Sequence, residues 1–190
     1  SPSCPANAGQ HIHPQGSDQE KGAALVSGGH ILTAPEFAIA ASVGKTQLLV
    51  VRQPDILLIT TGDEVIPPGQ EPLPHQIRRS HAEAIRSSIE SQKLGKVTNV
   101  HVADTEEDLK KAVLEGMETH EAVLLTGGIS MGKFDYVAPV LGSLVGAPSF
   151  HGVAQRPGKP FAFWPAKTPV FALPGNPVSV MACLGRYILP

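Results

Sequence analysis

The residues of this chain best suited to chemistry fall in three short loops: Thr60-Thr61-Gly62-Asp63-Glu64, Thr126-Gly127-Gly128-Ile129-Ser130-Met131-Gly132 and Leu173-Pro174-Gly175-Asn176-Pro177. Each follows an apolar run that reads as a strand. Paired glycines let a backbone approach a ligand closely. A helix starting just after them offers free N–H groups and a positive dipole end, which suit phosphate or another oxyanion. Ser130 adds a hydroxyl donor. Taken alone, the loop reads equally as a plain strand-to-helix turn. Asp63, Glu64, Asp104 and Asp135 each follow the end of an inferred strand. If they share one sheet edge, their carboxylates suit Mg²⁺, which takes one or two carboxylates together with substrate phosphates. Asp104 on its own reads better as a helix cap, with Glu107 three residues on. Arg156-Pro157-Gly158-Lys159-Pro160 places two cations around a tight turn, where a tetrahedral oxyanion could be held by charge-assisted bonds. In isolation the same turn reads as a solvated basic loop. His11 and His13 would point to opposite sides of an extended chain with no third ligand nearby, so no metal is expected there.

The elements that must position these loops alternate along the chain. Thr33-Ala34-Pro35-Glu36 is a capping box, so a short helix is expected through Val43 with Gly44 as its stop. Lys45 to Arg52 carries a strand signal. From Pro54 the pattern becomes strand, loop, helix. Strands are expected over 55–60, 96–102, 122–125 and 170–173. Helices are expected from a second capping box at Ser80-His81-Ala82-Glu83 to about Leu94, over 105–117 capped by Asp104 or Thr105, over 136–145, and after Pro177. Such alternation predicts an α/β fold, a three-layer, mostly parallel sheet over residues 54–190, preceded by a small α+β segment over residues 1–53. In such sheets ligands bind outside the carboxyl ends of the strands.

Composition narrows the classes further. A chain of 190 residues, 42% hydrophobic and 17% charged, holds one good domain and perhaps a smaller companion, and does not read as disordered or coiled-coil. A net charge of −2 excludes a general nucleic-acid or membrane field, so any bound anion must be held by local groups. The two cysteines, Cys4 and Cys183, are far apart and outside any CxxC, which argues against a disulfide scaffold or thiolate metal site and fits a reducing cytoplasm. No signal peptide and no bilayer-length apolar run is read. The chain starts without Met and stops just after an apolar stretch, and is expected to be a segment of a longer protein.

The combination of TTGDE, GGISMGKFDY, RPGKP and LPGNPVS, in this order and spacing, resembles the molybdopterin molybdenumtransferase family (MoeA and the gephyrin E domain). Residues 54–190 resemble that family's molybdopterin-binding domain. Residues 9–53, with His13-Pro14-Gln15-Gly16-Ser17-Asp18 and the Ala-Ser-Val-Gly segment at 41–44, resemble the part before it. The resemblance implies insertion of molybdate into adenylated molybdopterin with release of AMP and involvement of Mg²⁺. It places Glu64, Asp104, Asp135 and Lys159 among the catalytic residues and Glu64 and Asp135 at the metal. Thr61, Gly62, Asp63, Gly127, Gly128, Ser130, Arg156, Pro174, Pro177 and Ser179 fall at the pterin and molybdate. It implies a homodimer when the protein is full length. The chain departs from the pattern at Arg79-Ser80-His81, where members often have Asp-Ser/Thr-Asn, at Arg156, a position that is usually Lys, and at Gly152, where some members have Lys or Arg. The family's elongated extra domain and C-terminal β-domain are absent from the chain. A MogA-like adenylyltransferase and a gephyrin-like scaffolding module are the alternative functions.

Overall fold

The computed structural model describes residues 7–129 and 135–190. Ser130 and Cys4, both singled out in the sequence, lie outside the described residues, as does the 131–134 part of the glycine loop. The chain divides into two compact units, Ser1–Val51 and Arg52–Pro190.

In the first unit the expected capping box forms. The Glu36 carboxylate accepts the Thr33 backbone N–H at 2.7 Å, and helix α1 spans Ala34–Ser42 with Pro35 in its first turn. The strand expected over 45–52 does not form. These residues enter no strand pairing among the described residues, and Leu49 and Val51 are 106% and 95% exposed. The β-branched run supplies propensity, but a strand exists only where a partner takes its N–H and C=O groups, and this unit has no strand among its described residues.

The second unit is built on a six-stranded sheet. Its strands are β1 (Asp55–Thr61), β4 (Lys96–Val102), β5 (Ala122–Thr126), β6 (Phe150–His151), β7 (Ala162–Trp164) and β8 (Val170–Leu173), ordered β4-β1-β5-β8-β7-β6. The first four in that order are parallel, and β7 and β6 run antiparallel to their neighbours. A second, two-stranded parallel sheet joins β2 (Val65–Ile66) to β3 (Ile77–Arg78). The parallel strands expected from the sequence are present within a residue of their expected bounds. The short strands β2, β3, β6 and β7 were not expected.

Helices cover both faces, as continuous apolar strands require. Helices α3 (Glu106–Thr119) and α4 (Val137–Val145) bury Leu109, Val113, Val137, Val140 and Leu141 against Leu57, Ile59, Val123 and Leu125. Helices α2 (His81–Ser91) and α5 (Pro177–Cys183) bury Ala82, Ile85, Ile89, Val180 and Cys183 against Ile56, Leu58, Leu124 and Leu173. Alternate residues of β1 and β5 thus feed opposite cores, as the two-residue period of a strand demands.

One cap differs from expectation, and at another one of the two expected candidates forms. Ser80 sits in the helical region at φ −106°, ψ −27°, and its hydroxyl caps nothing, because an N-cap side chain reaches the first turn only from extended backbone. Glu83 pairs with Arg86 at 2.5 Å instead of reaching back. At α3 the cap is Thr105, whose hydroxyl accepts the Asp108 N–H at 3.2 Å, so Asp104 is released from capping and Glu107 is no part of the box.

Candidate active site

Strand direction decides where the loops lie. Because β4, β1, β5 and β8 are parallel, Ala103-Asp104, Gly62-Asp63-Glu64, Gly127-Gly128 and Pro174-Gly175-Asn176 all leave from one edge. The cationic turn joins them for the opposite reason. Strand β7 is antiparallel to β8, with Ala162 opposite Ala172, so β7 begins where β8 ends. The connection from β6 to β7, with Arg156 and Lys159, therefore emerges at the same edge. Its base is closed by the Gly152 N–H on the Phe161 carbonyl and the Val153 N–H on the Lys159 carbonyl, both at 2.9 Å. The Arg156–Pro157 peptide within it is cis.

The chain leaves β1 for α2 on one face and leaves β5 for α4 on the other, although β1 and β5 are neighbours. This divergence is a topological switch point, where an open sheet gapes at its carboxyl edge. The two glycines line that gap. Gly127 has φ +92°, and a Cβ there would stand 2.8 Å from Thr61 Oγ1 and 3.2 Å from the Thr61 carbonyl oxygen. Gly127 is therefore required both by its backbone conformation and by the close approach of β1. Thr61, Asp104, Gly128 and Tyr136 line a small cleft at this point.

The acids are organised by the backbone of the loops. Asp63 and Asp104, 41 residues apart, exchange reciprocal hydrogen bonds: each backbone N–H donates to the other's carboxylate at 3.3 Å. This clasp fixes the loop after β1 against the loop after β4. Glu64 is exposed beside it, and its main-chain carbonyl accepts the Ile77 N–H at 2.9 Å, which anchors the loop to β3. Asp135 is half-buried just ahead of α4. Among the described residues no group of three or more His, Cys, Asp or Glu side chains could hold a metal by itself. His13 lies beside Ser17 and Asp18 in the first unit, all exposed, and recruits no third ligand among the described residues.

The last loop is a cap as well as a turn. The Asn176 carboxamide oxygen accepts the Val178 and Ser179 N–H groups at 3.0 and 3.2 Å, starting α5 with Pro177 in its first turn. Pro174 is buried and Ser179 is half-buried. Arg156 and Lys159 are exposed, and neither makes an ion pair among the described residues.

His81, noted in the sequence within an expected capping box and as a departure but not as a site residue, opens α2 at this edge. Burial lowers its pKa below the ordinary histidine value, opposed by the Gly175 carbonyl, which favours the protonated ring. Its Nε2 and the Nε of Arg79 are buried without a hydrogen-bond partner among the described residues. Unpartnered buried polar atoms at a ligand-facing edge are candidates for substrate contact. A larger cavity of about 500 Å³ runs along β4 and α3, but includes none of the glycine-loop residues and is not the candidate site.

A molybdopterin molybdenumtransferase of Synechocystis sp. is 38% identical over 184 residues, covering 95% of this chain and 47% of its own length. One of Synechococcus elongatus is 36% identical over 195 residues, covering 99% of this chain and 48% of its own length. The chain thus spans about half the length of the curated relatives it matches. Two structures of the molybdopterin biosynthesis MoeA protein of Pyrococcus horikoshii superpose with TM-scores of 0.77 and 0.71 at 31% and 25% identity, covering 91% and 90% of this chain and 43% and 41% of theirs. A MogA structure matches at a TM-score of 0.52 and 14% identity, covering 69% of this chain and 90% of its own, and so shares the fold alone. Residues 57–190 match the family described as a probable molybdopterin binding domain, and the chain belongs to that family.

Proposed function

We propose that this chain is the pterin-handling part of a molybdopterin molybdenumtransferase: it binds adenylated molybdopterin and molybdate, and the whole protein inserts molybdate at the dithiolene and releases AMP. Residues 54–190 are the molybdopterin-binding domain, and residues 1–53 belong to the segment before it. The observation that carries this reading is the distribution of charge along one sheet edge. The acids Glu64 and Asp104 lie at the β4–β1 end, the glycines at β5, and Arg156 and Lys159 at the β7 end. Three strand spacings separate β1 from β7, roughly 14 Å at about 4.8 Å each. A nucleotide-linked pterin is an elongated substrate of that scale, with a pyrophosphate that needs a cation and an oxyanion partner that needs positive charge. The 38% identical relative named for this activity supports the same reading.

The residues present fit Mg²⁺ when the substrate completes its shell, since that ion needs only one or two protein carboxylates beside phosphate oxygens. Glu64 and Asp135 are assigned to it, with the Asp63–Asp104 clasp holding the Glu64 loop in place. When bound, the ion neutralises the pyrophosphate charge and polarises its phosphoryl oxygens. The chain's own groups do the rest. Gly127, Gly128 and Ser130 present N–H and hydroxyl donors to the pterin phosphate, with Thr61, Gly62 and Asp63 across the cleft. Arg156 and Lys159 hold molybdate, and Pro174, Pro177 and Ser179 shape the wall beside it. As the family resemblance implies, the site is completed in this reading by a homodimer of the full-length protein.

The test is complementation. Glu64→Gln or Asp135→Asn in the full-length protein is expected to abolish molybdoenzyme activity in a strain lacking the enzyme. Stability should change by only about 0.5 kcal/mol, because neither side chain is in a core. Wild-type molybdoenzyme activity in both variants overturns the assignment.

A further inference from the structure

The Gln155–Lys159 turn carries the two cations, and it rests on one stripe of the last helix. Helix α5 ends at Cys183 and continues as a π-helical turn over Leu184–Ile188. Ser179, Cys183 and Tyr187, spaced four residues apart, all face the turn. A Cβ on Gly158, at φ +105°, would stand 3.6 Å from the Ser179 carbonyl oxygen, 2.6 Å from Cys183 Sγ and 2.7 Å from Gln155 Nε2. The Cys183 thiol, fully buried, donates to the Gly158 carbonyl at 3.5 Å. Backbone and helix are thus in contact at Gly158, and no side chain larger than hydrogen fits between them.

Gln155 is the second point of attachment. Its Nε2 donates to the Pro157 carbonyl at 2.8 Å, and its Oε1 receives the Tyr187 hydroxyl at 2.9 Å. The carbonyl of Pro157 can only accept, which orients the amide and makes the Tyr187 hydroxyl the donor. The Tyr187 ring is fixed in turn by stacking on the buried Phe161, with centroids 5.0 Å apart and planes 13° from parallel. A straight α-helix would carry residue 187 to a different azimuth, so the π turn is what aims this hydroxyl.

Two exposed cations with no ion pair among the described residues repel each other and lose side-chain freedom when they close on an anion. A rigid turn reduces that cost. We propose that Tyr187, acting through Gln155, is a positioning residue that presets the Arg156–Lys159 turn to receive a tetrahedral oxyanion. The inference rests on the proposed role of those two cations. It adds Tyr187, 31 positions from Arg156 and 28 from Lys159 in sequence, in the π turn, which that reading does not use.

Tyr187→Phe removes the hydroxyl and keeps the ring stack, and Gln155→Ala removes the amide. Molybdate is titrated calorimetrically into the full-length protein and these variants, with Arg156→Ala as reference and thermal unfolding measured in parallel. Tyr187→Phe and Gln155→Ala are each expected to weaken molybdate about fivefold to tenfold at nearly unchanged thermal midpoint. The double variant is expected to be no weaker than Gln155→Ala alone, because the hydroxyl acts only through the amide. Molybdate affinity in Tyr187→Phe equal to wild type, while Arg156→Ala is weakened, overturns the positioning role and leaves the oxyanion role standing. An additive loss in the double variant also overturns it. Equal affinity in wild type and Arg156→Ala overturns the oxyanion role itself, and the inference with it.

Discussion

Gly127→Ala tests the close approach of β5 to β1 at the switch point. The new methyl group meets two obstacles and one conformational penalty. At φ +92° an L-residue carries a penalty of about 1–2 kcal/mol. The 2.8 Å contact with Thr61 Oγ1 can be relieved by rotating that side chain, at about 0.5–1.5 kcal/mol if it leaves its rotamer. The 3.2 Å contact with the Thr61 carbonyl oxygen cannot be relieved by a side chain and requires the strand ends to part by a few tenths of an ångström. A destabilisation of about 2–4 kcal/mol follows. Trp164 is the assay: it is the single tryptophan, it is 1% exposed in β7, and its emission reports on the second unit. Urea unfolding followed at Trp164 should show a lower midpoint with an unchanged slope. Thr61→Ala is expected to cost about 0.5 kcal/mol alone and to restore about 1 kcal/mol to Gly127→Ala, a positive coupling between residues that touch. A Gly127→Ala midpoint equal to wild type refutes the steric reasoning. A penalty that Thr61→Ala does not reduce refutes the hydroxyl contact and leaves the backbone conformation and the Thr61 carbonyl contact as the cause.

Two further outcomes are expected at the same edge. Arg156→Ala and Lys159→Ala should each weaken molybdate at least about tenfold in calorimetry, since one charge-assisted bond contributes roughly 1.5–3 kcal/mol, and affinities equal to wild type would mean the turn is a solvated basic loop. Burial holds the folded pKa of His81 below its ordinary value near 6.5, so the unfolded chain binds the proton more readily. The neutral ring's contribution to stability is therefore fully present above pH about 6.5 and is lost as pH falls from there through the lowered folded value. His81→Gln should flatten the urea midpoint against pH over that window, and identical profiles would show that the ring titrates as it does in water.

Much of the second unit was legible because parallel strands are buried on both faces. DILLIT, AVLLT and VFAL are uninterrupted apolar runs of strand length, and no polar periodicity competes with them. Strands β6 and β7 were missed because the short runs between Pro148 and Gly152 and between Pro160 and Pro165 carry no readable period; β7 depends on pairing with β8, and β6 on pairing with β7, which the local sequence does not show. The same dependence, in reverse, produced the unformed strand over 45–52. The site loops were legible from residue type, since paired glycines and clustered acids stand out wherever they fall. Their clasping was not. The Asp63–Asp104 exchange joins residues 41 positions apart and the Tyr187–Gln155 bond joins residues 32 apart. Nothing in either local sequence marks such a pair, and Asp104 read alone looks like the helix cap that Thr105 turns out to be.

Strand order does what loop order in sequence does not. Along the chain the functional groups arrive as Glu64, Asp104, Gly127, Arg156 and Pro174. Along the sheet edge they arrive as Asp104, Glu64, Gly127, Pro174 and then the cationic turn. The crossing from β1 to β4 and back to β5 places both acid loops on the same side of the glycines. The antiparallel return of β7 carries the cations past β8 to the far side while keeping them on the same edge. Had β7 run parallel to β8, the connection entering it would open at the amino ends of the strands, on the opposite edge from the acids. One antiparallel strand of three residues, Ala162–Trp164, therefore decides whether acids and cations share one sheet edge. Its register is held by the burial of Ala162 and Trp164 on one face, with Phe163 stacked on Phe171 at 4.7 Å on the other. A one-residue slip would exchange these faces and drive Trp164 out of the core, so the packing of β7 holds in place the strand from which the Arg156–Lys159 connection emerges.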